Sequence, residues 1–130
     1  MIFVDSSFWI AFYNVRDGRQ PEALALLRQT REELVTTNQV RGETWTFLRR
    51  RAGHSDAVRF LDHLDRSAQV RVEFVTERHE SDASRWLRRH DERPYSFVDA
   101  TSFAVMRTLH IKDALAFDED FAAAGFRRLP

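Results

Sequence analysis

The chain has 130 residues, 43% of them hydrophobic, with 20 basic and 20 acidic side chains and a net charge of +0 when histidine is neutral. That length fits one domain over residues 1–130, able to bury roughly two thirds of the surface its unfolded chain exposes, and the apolar content excludes intrinsic disorder. All the basic residues but Lys112 are Arg, yet the zero balance excludes a basic tail that grips nucleic acid through charge alone.

Ile2-Phe3-Val4 reads as a short buried strand running into a helix over Phe8–Tyr13, with Asp5, Ser6 and Ser7 as capping residues. A loop from Asn14 to Gly18 follows. Pro21 suits the first turn of a second helix reaching Glu33, with Leu24 and Leu27 on one face. Leu34–Thr37 is a second strand. Asn38 caps a third helix whose inward stripe is Val40, Thr44, Phe47 and Leu48, with Glu43 at its edge. Gly53 ends that helix. Ser55 opens a fourth, turning Val58, Leu61, Leu64 and Ala68 inward.

Val70–Val75 alternates as a half-buried strand, with Val70, Val72 and Phe74 on the apolar side. Thr76 or Ser81 starts a fifth helix carrying Ala83, Trp86, Leu87 and His90 on one face, and Pro94 stops it. Ser96 caps a sixth, Phe97 to His110, which is nearly free of charge and therefore central and buried. Ala114–Phe117 is a strand, Phe121–Ala124 a short helix with Gly125 as its C-cap, and Phe126–Leu129 a last strand. Strands alternating with helices imply an α/β architecture with a parallel sheet covered on both faces.

Several chemistries are excluded. There is no Cys, hence no disulfide, zinc-thiolate site or Cys nucleophile. Gly18, Gly42, Gly53 and Gly125 build no dinucleotide fingerprint, P-loop or nucleophile elbow. The five His form no metal-binding pair and are expected at the surface or its boundary. The N-terminus lacks the basic region of a signal peptide. The Phe8–Tyr13 run is far shorter than the ~20 residues that span a bilayer. A soluble, cytoplasmic protein with no membrane partner is expected.

In open α/β sheets the site lies beyond the carboxyl ends of the strands. Asp5 and Asp118 follow such ends. Glu43 and Asp99 lie on helices whose inward faces meet the same edge. Each has a plain alternative: Asp5 as a helix cap, Glu43 as a solvated first-turn acid, Asp118 as a turn residue. Asp99 is the hardest to set aside, because a carboxylate on a buried helix needs a partner. Together the four would repel one another and raise one another's pKa values unless a divalent ion neutralised them. Oxygen ligands without His or Cys suit Mg²⁺, with Mn²⁺ as the alternative.

The order Ile2-Phe3-Val4-Asp5-Ser6-Ser7, Glu43, Tyr95-Ser96-Phe97-Val98-Asp99-Ala100, Ala116-Phe117-Asp118-Glu119-Asp120-Phe121 and Ala124-Gly125-Phe126 resembles the PIN domain, and specifically a VapC-type toxin ribonuclease. The resemblance covers the whole chain. It implies a three-layer α/β/α fold with a central, mainly parallel sheet and a metal-dependent endoribonuclease cutting structured RNA (tRNA or rRNA). It places Asp5, Glu43, Asp99 and Asp118 in the acidic quartet, with Asp5 and Asp99 as the most direct metal ligands. Glu43 and Asp118 complete the site, Ser7 supports Asp5, and Asp120 is the alternative to Asp118. It also implies a homodimer and a VapB-type antitoxin. A PIN nuclease of RNA maturation and an inert PIN-like binding module are the other readings.

The loop Gly18-Arg19-Gln20-Pro21 lacks the His often found there in these toxins. Three Arg clusters, Arg49–Arg51, Arg88–Arg89 and Arg127–Arg128, are candidates for phosphate contact. Solvated helix faces are the simpler account of each. The aromatic segment Phe8–Tyr13 is wider than one inward stripe, so part of it is available to an interface. Setting the four acids aside leaves 20 basic against 16 acidic residues, a cationic shell around an anionic pocket.

Overall fold

The computed structural model describes residues 1–129; Pro130 lies outside them. Five strands, β1 (Ile2–Val4), β2 (Leu34–Thr37), β3 (Val70–Glu73), β4 (Asp113–Leu115) and β5 (Arg127–Leu129), form one sheet in the order β3-β2-β1-β4-β5. Every neighbouring pair is parallel. Seven helices connect them: α1 (Ser6–Tyr13), α2 (Gln20–Gln29), α3 (Asn38–Arg51), α4 (His54–Arg66), α5 (Glu77–Arg89), α6 (Phe97–Thr108) and α7 (Asp120–Ala123). The chain leaves β1 toward β2 and β3, then crosses back to β4 and β5. Strand order therefore reverses at β1, and the crevice of an open sheet falls beyond the ends of β1 and β4. The expected α/β/α architecture is present, with a sheet that is parallel throughout.

β1 and β2 are buried along their whole length, which is why they read as unbroken apolar or β-branched runs. The helices fall into two groups: α1 packs on α2, α3 and α4, while α6 packs on α5 and α7. Right-handed crossovers put the groups on opposite faces of the sheet. On one face Trp9 meets Phe60 at 5.8 Å between ring centroids. On the other, Phe103 of α6 takes the rings of Phe121 and Trp86 edge-on at 5.0 and 5.2 Å. Residues Asp99 to Met106 of α6 are all buried, as its lack of charge predicted. No helix among the described residues is long and apolar enough to cross a membrane.

Several details depart from the sequence reading. α2 stops at Gln29 rather than Glu33; Thr30 turns extended and its hydroxyl donates to Leu26 O at 2.7 Å. Its core contacts come from Ala23, Leu26 and Leu27, not Leu24. Thr37, not Asn38, caps α3, its Oγ1 accepting from Val40 N at 3.0 Å; Asn38 accepts from Val75 N instead. Phe47 leaves the α3 stripe and is 38% exposed. In α4 the buried set is Ala57, Phe60 and Leu64, because the Phe60 ring claims the direction toward Trp9; Val58 is half-buried and Ala68 lies exposed past the helix end.

β3 ends at Glu73, and Phe74 is 60% exposed with the Arg41 guanidinium over its ring. Val70 and Val72 of this edge strand do pack against the core; the alternation fails only at Phe74, past the strand's end. His79 is buried: it closes a capping box with Thr76, which starts α5, and its Nδ1 accepts from Thr76 N at 3.0 Å. His63 is half-buried against the Tyr13 hydroxyl.

Replacing Phe103 by alanine is expected to cost about 3–5 kcal/mol, the range for emptying a buried aromatic site. Phe74→Ser, on the exposed edge, is expected to stay within about 0.5 kcal/mol of wild type. Urea denaturation of the two variants checks the contrast.

Candidate active site

Asp5 leaves β1 and caps α1. Its carboxylate is 2% exposed, and Oδ2 accepts hydrogen bonds from Ser7 N at 3.2 Å and Ser7 Oγ at 2.7 Å. The same Ser7 oxygen accepts from Phe117 N at 3.0 Å, and Asp5 N donates to Leu115 O at 3.0 Å. The ends of β1 and β4 are thus tied together at the point where the acids stand. Asp5 is at once the cap and a member of the acidic group, so its two readings do not compete.

Asp99 occupies the first turn of α6 in a capping box: Ser96 N donates to its Oδ2 at 3.1 Å, and its own N donates to Ser96 Oγ at 2.9 Å. Asp118 follows β4 and Phe117, and its Oδ1 accepts from Asp120 N at 3.2 Å. Asp120 opens α7 and is gripped at Oδ1 by Arg93 Nε and Nη2, at 3.0 and 2.9 Å. Asp99, Asp118 and Asp120 each present an oxygen within 4.8 Å of the others. Asp5 lies against them, close enough that Asp118 and Asp99 both act on its charge.

Crowding and burial change the titration of these groups. Burial, then the negative charges of Asp118 and Asp99, hold the Asp5 carboxyl well above the usual carboxylate range. Burial, then Asp120 and Asp118, push Asp99 up to about 6 against the opposing hydrogen bond from Ser96. Asp118 is raised as well, again chiefly by burial. Carboxyls whose hold on a proton is strengthened in this way are poised to exchange it for a cation. The donor set is oxygen only, which suits a hard divalent ion.

Glu43 stands at the rim. It is exposed on the second turn of α3 rather than in the first turn, and it accepts a hydrogen bond from the Oγ of Ser6, the residue after Asp5, at 2.6 Å. On the other side, the loop without a His supplies Arg19, whose guanidinium lies 4.9 Å from the centroid of Phe117. Arg128 Nη1 donates to Phe117 O at 3.2 Å.

A PIN-domain family model matches residues 2–127. The chain belongs to the PIN-domain family. It is 55% identical over 126 residues, 97% of its own length and 95% of the relative's, to VapC20 of Mycobacterium tuberculosis, described as a 23S rRNA-specific endonuclease, in strains CDC 1551 / Oshkosh and H37Rv alike. The crystal structure of M. tuberculosis VapC20, described as a sarcin-ricin loop cleaving toxin, matches with a TM-score of 0.92 at 54% identity, over 97% of this chain and 96% of that one.

The PIN fold accordingly brings Asp5, Asp99 and Asp118 together and sets Glu43 at their edge. Asp120, which the sequence offered as a substitute for Asp118, joins it instead. Arg93 was not legible: it comes from the connection between α5 and α6, 27 residues from its partner, with no motif around it.

The raised pKa of Asp99 fixes the sign of a stability effect. A carboxyl that holds its proton to about pH 6 when folded, against 3.8 ordinarily, makes the folded state bind more protons, so metal-free stability falls as pH rises through that window. Asp99→Asn keeps the acceptor for Ser96 and removes the charge. It is expected to stabilise the metal-free PIN domain at pH 7.5 by about 1–2 kcal/mol, or roughly 4–8 °C in Tm, with little difference at pH 4. Thermal melts in EDTA at both pH values check this; a lower Tm for the variant at pH 7.5 contradicts it.

Proposed function

We propose that this VapC-type PIN nuclease hydrolyses a phosphodiester bond in structured ribosomal RNA with Mg²⁺, Mn²⁺ serving as a substitute, and that the sarcin-ricin hairpin is its target. In this reading it is the cytoplasmic toxin of a toxin–antitoxin pair, a homodimer restrained by a VapB-type antitoxin. The observation that carries the proposal is the cluster of Asp99, Asp118 and Asp120 oxygens around buried Asp5, at the crevice where a parallel sheet accepts ligands. The 55% identity to a 23S rRNA-specific endonuclease supports the choice of RNA.

Asp5 and Asp99 would hold the ion, with Asp118 beside them and Glu43 at the rim. Bound there, a divalent ion supplies Lewis-acid stabilisation of the phosphate oxygens and lowers the pKa of water. The chain's own residues prepare that step. Ser7 fixes the Asp5 carboxylate through two donors and is itself fixed by Phe117 N. Ser96 fixes Asp99. Asp118 and Asp120 form the wall nearest β4, with carboxylate oxygens that can orient an attacking water. Arg93 holds Asp120 in place.

The test is cleavage of a synthetic sarcin-ricin hairpin by partner-free protein. Cleavage is expected with Mg²⁺, none with EDTA, and none from Asp5→Ala or Asp99→Ala. Ser7→Ala, which removes a support and not a ligand, is expected to lose about 10–100-fold. Full-rate cleavage in EDTA overturns the metal-dependent mechanism.

A further inference from the structure

Beside the acidic cluster, on the α3 side, lies a cleft of about 610 Å³ bordered by Gly42, Glu43, Phe47, Arg50, Arg51 and Val98. It shares Glu43 with the candidate site, and Val98 immediately precedes Asp99. Four features of the cleft point to the same occupant.

Phe47 is 38% exposed there, and the Arg51 guanidinium lies over its ring at 5.5 Å. Aromatic rings and guanidinium planes are the surfaces on which proteins stack unpaired bases. Arg50 and Arg51 have no carboxylate partner among the described residues, so both remain available to phosphate. Gln39 also borders the cleft; Thr101 Oγ1 donates to its Oε1 at 3.0 Å. The Thr101 hydroxyl has a single proton and also lies 2.9 Å from Val98 O; the contact fixes the Gln39 amide through one of its two polar atoms and leaves the other to meet a base edge.

Gly42 is the fourth feature. Glycine in a helix interior weakens the helix relative to alanine, and close packing is the usual reason to keep it. Here a Cβ at Gly42 would meet nothing within 4 Å. The missing side chain is open space on the wall of the cleft.

The other Arg clusters are placed differently. Arg127 is locked to Asp113 by two hydrogen bonds, and Arg128, on the β4 side of the acids, is held by Phe117 O and Glu119. Arg89 borders a separate cavity that shares no residue with the acids.

We propose that this cleft receives an unpaired nucleobase of the RNA substrate, next to the phosphate held at the acidic cluster. The base stacks on the Phe47–Arg51 surface, passes close to the α3 backbone at Gly42, and presents an edge to Gln39. This rests on the reading of the protein as an RNA-cutting enzyme and adds to it a specificity pocket.

Gly42→Ala separates this role from a structural one. The variant is expected to melt about 2–4 °C above wild type, as replacing glycine within a helix should. Its KM on the sarcin-ricin hairpin is nevertheless expected to rise about tenfold, with kcat within a factor of two. Phe47→Ala should raise KM similarly and Phe47→Trp restore it. A single-stranded RNA oligonucleotide carrying 2-aminopurine, added in EDTA, should lose fluorescence on binding wild type and keep it with Phe47→Ala.

Unchanged KM in both Gly42→Ala and Phe47→Ala overturns the proposal. So does a rise in KM that tracks loss of a dimer in light scattering, which would make the cleft a contact between copies. If wild type cuts no RNA but still quenches the 2-aminopurine through Phe47, the pocket stands and the nuclease reading fails.

Discussion

Like charges at close range are the constraint around which this molecule is arranged. Asp5, Asp99 and the pair Asp118 and Asp120 come from three separate places in the chain and meet where water is scarce. Left to themselves they would separate. What prevents it is the sheet: parallel pairing of β1 with β4, the Ser7 bridge from Asp5 to Phe117, and the burial of α6 along eight consecutive residues. Stability built elsewhere, in the Trp9–Phe60 and Phe103–Phe121 contacts, offsets repulsion stored at the site.

The surroundings divide by sign. The floor of the site is acidic, while guanidinium groups stand on two sides of it: Arg19 and Arg128 around Phe117, and Arg50 and Arg51 around Phe47. The neutral total of 20 basic and 20 acidic residues therefore conceals a strong local pattern, and it is the pattern that bears on RNA.

Much of this was legible because the relevant signals are local. Asp5 directly follows an apolar strand, Asp99 sits in a helix without other acids, and Asp118 follows a strand across Phe117; each announces itself within a few residues. Burial of β1, β2 and α6 was legible for the same reason. What was hidden depends on distance or on competition. Asp120 was seen only as an alternative because sequence cannot tell whether neighbouring loop acids face the same way. Arg93 reaches Asp120 from another connection. Phe47 and Phe74 carry apolar side chains at positions of correct period, yet lie in the open, since period reports which residues share a face and not whether that face is covered. In α4, Phe60 outweighed the stripe inferred from Val58 and Leu61.

One regularity in the hydrogen bonds bears on how the site is kept ready. Asp5 gives Oδ2 to Ser7, Asp99 gives Oδ2 to Ser96, Asp118 gives Oδ1 to Asp120 N, and Asp120 gives Oδ1 to Arg93. Each carboxylate is anchored through one oxygen by a donor of the chain itself. A cation taken up by such a set would find the side chains already oriented. Less ordering is then left for binding to accomplish, which is the advantage of a site held ready by its supporting hydrogen bonds.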